Sequence, residues 1–241
     1  DGIYLYGTLT TYPNPAINNN SIYNNTSYNL TAGAYNDCSS LTINAQNNWW
    51  GSIDPIIIGQ KIQDYTDYYL YPAVDFNHFL DGPNGSPVPG NFVSGTITAN
   101  TTWALANSPY IVVGNIAVSP AITLTIEPGV VVKFAANYQL AVNGALIAQG
   151  TQSQPITFTS NKTTPAKGDW SSITFNNSSN DATCIISYAV IEYANYGVYP
   201  ISASPRIENT TLQNNNYGIF CNYSSPNITA NTIQNNSYGI R

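Results

Sequence analysis

The feature that most constrains the fold is a repeat of 21 residues in the last third of the chain. Three Tyr-Gly pairs recur at this spacing, with their glycines at Gly197, Gly218 and Gly239. A fixed period of this length indicates one supersecondary unit that is stacked many times. Further columns share the period: Ile186, Ile207 and Ile228; Ile191, Leu212 and Ile233; Val198, Ile219 and Ile240; Pro205 and Pro226.

Each repeat has the composition of short β-strands. In the last one, Ile228, Ile233 and Ile240 are separated by Asn, Ser and Thr, without the i, i+3, i+4 pattern of a helix. A leucine-rich repeat has a similar length but needs a dense leucine pattern, which is missing. A coil of three short strands and three turns fits this spacing, and stacked coils would pair strands about 4.8 Å apart. The sequence therefore predicts an all-β solenoid.

Two segments, residues 204–219 and 225–240, resemble the right-handed parallel β-helix repeat of pectate-lyase-like and NosD-like surface proteins of bacteria and archaea. The pattern recurs over residues 14–25. This resemblance implies an all-β fold, a right-handed parallel β-helix (β-solenoid) with coils of about 21 residues. It also implies one unit of a tandem or fibrous array.

The order of the segments predicts two solenoid portions. Residues 47–51, Asn-Asn-Trp-Trp-Gly, resemble a segment that closes such a helix, whereas residues 93–97 through 126–130 resemble one that opens it. We therefore predict C-terminal coils and a cap over 1–80, a linker over 81–92, and N-terminal and middle coils of a following β-helix over 93–241. Asp54 and Pro55 predict the N-cap and first position of a short capping helix over 56–62. We interpret the chain as a unit whose two ends complete each other's helix.

The composition disfavours several partners. Charged residues make up 7% of the chain and the net charge is −6, so no basic surface is expected for nucleic acid. No apolar run approaches the roughly 18 residues of a membrane-spanning helix, and we expect no membrane insertion. The polar surface comes instead from 33 Asn and 45 Ser and Thr residues.

Candidate catalytic groups are few. Glycoside hydrolysis needs two carboxyl groups that face one bond, and the candidates are Asp169, Asp181, Glu192 and Glu208. Glu192 shares a column with Gln213 and Gln234, which is typical of an outward polar position. We therefore expect no catalytic residue, no cofactor and no metal ligand.

The remaining chemically distinctive side chains are expected to be structural. His78 is the single histidine and is predicted to be a semi-buried packing residue. Trp49, Trp50, Trp103 and Trp170 are predicted to pack in the core or cap, with sugar stacking as the alternative. Cys38, Cys184 and Cys221 are expected to be packed thiols, with a Cys184–Cys221 disulfide as the alternative.

Asparagine has two predicted roles. Asn214, Asn235 and Asn24 occupy one turn column and are predicted to form a structural ladder. Thirteen Asn-x-Ser/Thr sequences occur, about twice the number expected from composition, so N-glycans are predicted on several. The candidates are Asn100, Asn161, Asn177, Asn209, Asn222, Asn227, Asn19 and Asn29.

The leading hypothesis is a non-catalytic structural subunit of an extracellular, glycosylated fibre, sheath or stalk. Its partner would be a second copy, stacked end to end. The alternatives are a carbohydrate-binding adhesin or a polysaccharide lyase- or hydrolase-like β-helix, with polysaccharide as the ligand. A metal-handling role is disfavoured because histidine and methionine ligands are scarce.

Overall fold

The computed structural model describes residues 1–7, 13–34, 41–64, 67, 71–88 and 91–241. These residues form two compact units, Asp1–Thr96 and Ile97–Arg241. The predicted division into 1–80, a linker and 93–241 stays a prediction. Residues 80–88 fold into a turn in which Leu80 and Pro87 form an antiparallel bridge.

The first unit contains short parallel strands with apolar inward residues. Strand β1 (Ile3–Gly7) pairs with β2 (Leu30–Ala34), which pairs with β4 (Ile62–Gln63). Strand β3 (Thr42–Asn44) pairs with β5 (Ala73–Asp75). Leu30, Ile43 and Phe79 are fully buried between these strands.

The predicted capping helix is present as α1 (Pro55–Gln60), between β3 and β4. Asp54 precedes it as the N-cap, and its carboxylate accepts a hydrogen bond from the Ile56 N–H at 2.9 Å. Pro55 occupies the first turn, where its missing N–H removes no helical hydrogen bond. The helix ends two residues earlier than predicted.

The second unit is a parallel β-solenoid with three strand-lined faces. Strand β8 (Tyr110–Val118) contributes to two faces, because its first half pairs with β10 and its second half with β11. The third face has the order β21-β18-β15-β12-β9-β7. A short 3-10 helix, Leu105–Asn107, follows β7. The strands are β6 (Asn91–Ile97, across the boundary between the units), β7 (Thr101–Trp103), β9 (Thr123–Ile126), β10 (Val131–Phe134), β11 (Gln139–Val142), β12 (Ala145–Gln149), β13 (Ile156–Ser160), β14 (Trp170–Phe175), β15 (Ile185–Ser187), β16 (Ala189–Glu192), β17 (Ala194–Pro200), β18 (Arg206–Glu208), β19 (Thr211–Gln213), β20 (Tyr217–Ile219), β21 (Asn227–Thr229), β22 (Thr232–Gln234) and β23 (Tyr238–Ile240).

The strand register confirms the apolar columns predicted from the period. Ile207 pairs with Ile186 on one side and Ile228 on the other. Leu212 pairs likewise with Ile191 and Ile233, and Ile219 pairs with Val198 and Ile240. Because side chains alternate along a strand, these pairs place one apolar residue of each strand inside every coil. The chain is therefore a parallel β-helix repeat protein.

The coils are less uniform than the period of the last third suggests. They are stacked about 23 residues apart, and longer coils carry inserted loops. Thr159 and Glu192, for example, meet on neighbouring strands although 33 residues separate them. The right-handed winding of the helix stays a prediction.

Candidate functional site

The most regular polar feature of the second unit is a column of asparagine side chains that face the backbone of the neighbouring turns. Asn215 is fully buried, and its Oδ1 accepts a hydrogen bond from the Ala194 N–H at 2.8 Å. Its own N–H donates to Oδ1 of Asn236 at 2.8 Å. The Asn215 side-chain nitrogen donates to the Ile191 carbonyl, and the Asn236 side-chain nitrogen donates to the Leu212 carbonyl. The amides therefore satisfy turn backbone groups inside the solenoid.

This ladder lies one residue after the predicted one. Asn214, Asn235 and Asn24 have positive φ angles of 55°, 55° and 59° and occupy the left-handed turn position. Their side chains are half-buried or exposed. Since the turn rotates the next side chain inward, Asn215 and Asn236 form the ladder instead. Both columns have the same spacing, so only the turn geometry distinguishes them.

The first unit uses the same device. Asn48 is fully buried, and its Oδ1 accepts from the Asn20 N–H at 2.9 Å. Its side-chain nitrogen donates to the carbonyls of Ile17 and Ala45. The predicted ladder omitted this residue, although the Asn47-Asn48 pair repeats the Asn-Asn pairs at 214–215 and 235–236 in the sequence.

A second column joins the coils through tyrosine and glycine. The rings of Tyr196 and Tyr217 stack at 5.0 Å, and those of Tyr217 and Tyr238 at 4.7 Å. A Cβ atom on Gly218 would lie 2.6 Å from the carbonyl oxygen of Gly239. Glycine is required there because the backbone of the next coil occupies the space of a side chain.

Glu192 lies in an outward polar column, as predicted. Its two carboxylate oxygens accept hydrogen bonds from Thr159 Oγ1 at 3.0 Å and Gln213 Nε2 at 2.9 Å. Gln234 continues the column by donating to Gln213 at 3.2 Å. Both oxygens therefore already have partners within the solenoid.

Asp169 is nearly buried and joins the ends of a loop. Its carboxylate accepts from Lys162 Nζ at 2.7 Å, Ser160 Oγ at 2.7 Å and the Ala166 N–H at 2.9 Å. Burial alone would raise the pKa of Asp169, but these donors outweigh it and hold the pKa below the usual 3.8.

The other two candidate carboxylates have separate local roles. Asp181 accepts from the Ser204 N–H at 2.7 Å. Glu208 lies on β18 in a different sheet from Glu192, and its nearest cation is Arg206 at 3.7 Å. Each contact is local to its own coil or the next.

The prediction for His78 is wrong, whereas three tryptophans pack as expected. His78 is exposed, at a turn position with a φ of 55°. Trp50, Trp103 and Trp170 are buried, and Trp170 stacks on Phe134 at 4.1 Å. Trp49 is half-buried beside Tyr23. Buried rings offer no face for sugar stacking.

The structure separates the predicted glycosylation sites by exposure. Asn29 is buried, and its side-chain nitrogen donates to the Trp50 carbonyl at 3.2 Å, so it is unsuited to carry a glycan in the fold. Asn222 is half-buried and donates to the Tyr199 hydroxyl. Glycosylation of the other candidates stays a prediction; the exposed ones are Asn19, Asn100, Asn161, Asn177, Asn209 and Asn227.

The described thiols and potential metal ligands offer few candidates for a chemically active site. Cys184 and Cys221 are free thiols, so the alternative Cys184–Cys221 disulfide is absent, and burial raises the pKa of both. Cys38 lies outside the described residues. Within the described ranges, no group of three or more His, Cys, Asp or Glu side chains could hold a metal ion. No helix in that part of the chain is long and apolar enough to cross a membrane.

Comparisons with known proteins agree with this architecture. Residues 95–198 match the model of the pectate-lyase like beta helix domain. Protein bark beetle of Drosophila melanogaster is 30% identical over 147 residues, which cover 55% of this chain. The match spans 5% of that relative's length. No solved structure matches the chain.

Proposed function

We propose that this parallel β-helix repeat protein is a non-catalytic structural subunit of an extracellular, glycosylated assembly in which copies stack coil on coil. The observation that carries the proposal is the self-complementarity of the coils, because each one buries the same columns of side chains against a neighbour of the same type. Ile219, for example, is buried and pairs with Val198 on one side and Ile240 on the other. A coil of a second copy would present the same columns and could pair in the same way.

The hydrogen-bond columns support the same arrangement. The N–H groups of Ala194 and Asn215 each donate to an asparagine oxygen of the following coil. In the first unit the Asn20 N–H donates to Asn48 Oδ1 in the same way. Both units therefore carry amides that can satisfy the backbone of a neighbouring coil, and a strand of a second copy could pair through the same backbone groups.

A second copy could provide the neighbouring coil from its first unit. There, a hollow of about 540 Å³ is lined by Ile3, Ile17 and Ile22 together with the polar residues Asn20, Ser21 and Asn25. The segment containing Ile17 and Ile22 has the same spacing of Pro, Ile and Asn residues as residues 226–236. A coil with an apolar interior and asparagine corners suits this mixed lining.

The absence of catalysis is part of the proposal. Both oxygens of Glu192 are engaged, and Asp169 is held by Lys162. Polysaccharide lyase or hydrolase activity remains the alternative, since the pectate-lyase-like fold occurs in enzymes and in proteins without activity. Incubation with polygalacturonate and xylan, with reducing ends and unsaturated products measured, distinguishes them. Product that disappears in Glu192→Gln would establish the alternative.

Exposed Asn-x-Ser/Thr sites support the glycosylated and extracellular parts of the proposal. Mass spectrometry of the native protein is expected to find sugar at several of the exposed sites and none at Asn29. Occupied Asn29, or an entirely bare protein, would contradict this part.

Stacking is tested by electron microscopy of the wild-type chain and of Gly239→Ala. An added Cβ on Gly239 meets only Ile233 Cγ2 at 3.6 Å within the chain. In a stack it would meet the next carbonyl, as Gly218 would. We expect filaments from the wild type and discrete particles from Gly239→Ala, whereas the control Gly59→Ala keeps the filaments. Discrete wild-type particles, or filaments from Gly239→Ala, would refute stacking of this coil.

A further inference from the structure

A small pocket in the first unit is lined by asparagine side chains from three separate segments. Asn19 and Asn47 lie at successive coil corners, and Asn84 lies at the tip of the turn over residues 80–88. The cavity has a volume of about 300 Å³, at the lower limit for small-molecule sites. We call it the amide pocket; Asn20, Ser21, Leu80, Gly85 and Pro87 complete its lining.

The walls of the amide pocket are held by backbone contacts. The Asn19 N–H donates to the Asn47 carbonyl at 3.0 Å, and the Leu80 N–H donates to the Asn48 carbonyl at 2.9 Å. The turn is closed by the Asp81 N–H, which donates to the Ser86 carbonyl at 2.9 Å. The pocket is therefore formed before any ligand arrives.

The polar groups in the amide pocket are neutral. Asn19, Asn47 and Asn84 have φ angles of 60°, 55° and 59°, and among the described residues their side-chain amides have no protein hydrogen-bond partner. Each amide offers donors and an acceptor. None of the lining residues is charged. The site therefore favours an uncharged ligand that both donates and accepts hydrogen bonds.

Apart from Asn20 and Ser21, the remaining lining of the amide pocket is Leu80, Gly85 and Pro87. Leu80 is buried in the floor and Pro87 is exposed at the rim. No aromatic ring lines the cavity, so a flat base would find no stacking partner. Vicinal hydroxyls of a sugar ring match the amides, and the ring's C–H face matches the aliphatic side chains.

We infer that the amide pocket binds a neutral saccharide of one or two rings. This inference concerns the unassembled chain with an unmodified Asn19. Asn20 and Ser21 line both the amide pocket and the hollow proposed for stacking, whereas Asn19, Asn47 and Asn84 line the amide pocket alone. Acidic sugars are disfavoured, since their carboxylate would find no cation in the lining and the chain has a net charge of −6.

The test is a titration of the full, unglycosylated chain with cellobiose, followed by NMR of the asparagine side-chain amides. Asn84→Gly and Asn47→Gly remove an amide while keeping the left-handed backbone that glycine adopts readily. We expect millimolar binding by the wild type and a loss of about fivefold in each variant. The matched control Asn235→Gly, at an exposed turn with a φ of 55°, should bind as the wild type does.

Several results would overturn the inference. Cellobiose could leave the amide signals of Asn19, Asn47 and Asn84 unmoved, or the glycine variants could bind as well as the wild type. Equal or tighter binding of digalacturonate would show that the neutral lining does not select the ligand. Binding lost equally in Asn235→Gly would place the sugar elsewhere.

Discussion

At the scale of single residues, the buried amide of Asn215 connects three consecutive coils. The Asn215 Oδ1 accepts from the Ala194 N–H, and the Asn215 backbone N–H donates to Asn236 Oδ1. The side-chain nitrogen of Asn215 also donates to the Ile191 carbonyl. Buried backbone groups that lose their partners cost free energy because water cannot replace the missing contact. This side chain therefore stabilises the turns beyond its own coil.

Substitution Asn215→Ala is expected to lower the free energy of unfolding by about 2–4 kcal/mol, because two buried backbone groups lose their partners. Urea unfolding monitored by tyrosine fluorescence measures the loss. The neighbouring Asn214→Gly is the control, and we expect it to change stability by less than about 0.5 kcal/mol, since glycine suits a φ of 55°. Equal losses in both variants would contradict the assignment of the ladder to Asn215.

The glycine column gives a second residue-scale prediction. Gly218→Ala forces a Cβ to 2.6 Å from a carbonyl oxygen, whereas Gly239→Ala adds a Cβ with a nearest contact of 3.6 Å. We expect Gly218→Ala to lower the free energy of unfolding by about 1–3 kcal/mol. Gly239→Ala should leave it almost unchanged in dilute, unassembled protein. Thermal unfolding of the two variants in parallel is the measurement. A stable Gly218→Ala protein would show that the coils separate more easily than the geometry implies.

At the scale of elements, the loop between β13 and β14 depends on one ion pair. Lys162 and Asp169 meet at 2.7 Å across it, and Asp169 also holds Ser160 and the Ala166 N–H. The lysine side chain is half-exposed while the carboxylate is nearly buried. The carboxylate is therefore the member that organises the loop.

The lowered pKa of Asp169 makes this loop sensitive to acid. Because the folded pKa lies below 3.8, the ionised carboxylate stabilises the fold above that pH, and its contribution is lost as the pH falls below 3.8. Asp169→Asn should be less stable than the wild type at pH 7, and the difference should shrink as the pH falls through the folded pKa. Unfolding free energies from pH 7 to 2.5 give this comparison. A difference that is constant with pH would be inconsistent with the assigned ionisation.

The partner lysine provides an independent check by NMR. Lys162→Ala should raise the pKa of Asp169, measured from its side-chain carboxyl carbon, because the closest hydrogen-bonded cation is removed. Lys167→Ala is the matched control, since Lys167 contacts Ser237 at 3.5 Å instead. If both variants shift the pKa equally, the effect reflects general charge rather than this contact.

At the scale of the whole molecule, the second unit is a stack in which each coil mainly contacts its neighbours. The same column relations are repeated from Trp103 to Ile228 on one face and from Ile116 to Ile240 on another. In such a solenoid, stability accumulates through interfaces between adjacent repeats. The proposed assembly extends this principle from one chain to many.

Filaments of the protein are expected to keep the strand spacing of the single solenoid. If copies stack coil on coil, aligned filaments should give a reflection near 4.8 Å along the filament axis, because strands are separated by that distance. Fibre diffraction of wild-type filaments measures it. A reflection of this spacing perpendicular to the axis would show that copies associate side by side.

Much of the fold was predictable from local patterns. A 21-residue period, three inward apolar columns and the Asp54-Pro55 helix start are all readable in the sequence, because repeated contacts leave repeated residues. The coils with long loops were harder to predict from the sequence, since the insertions before Trp170 and Ile185 interrupt the 21-residue period. The amide pocket was not predictable, because Asn19, Asn47 and Asn84 are distant in sequence and share no motif.

The sequence by itself determined the stacked β architecture, since its apolar columns could be buried only between coils. It also determined where the turns lie, through asparagine and Ser-Pro pairs. Only the tertiary structure decided which side chains point inward. It selected Asn215 over Asn214 and exposed His78, because a turn's φ angle rotates neighbouring side chains to opposite sides of the backbone. It also buried Asn29, whose side chain donates to the carbonyl of Trp50 on another segment. The sequence does not show this rotation where two adjacent residues, such as Asn214 and Asn215, are both asparagine and repeat with the same period.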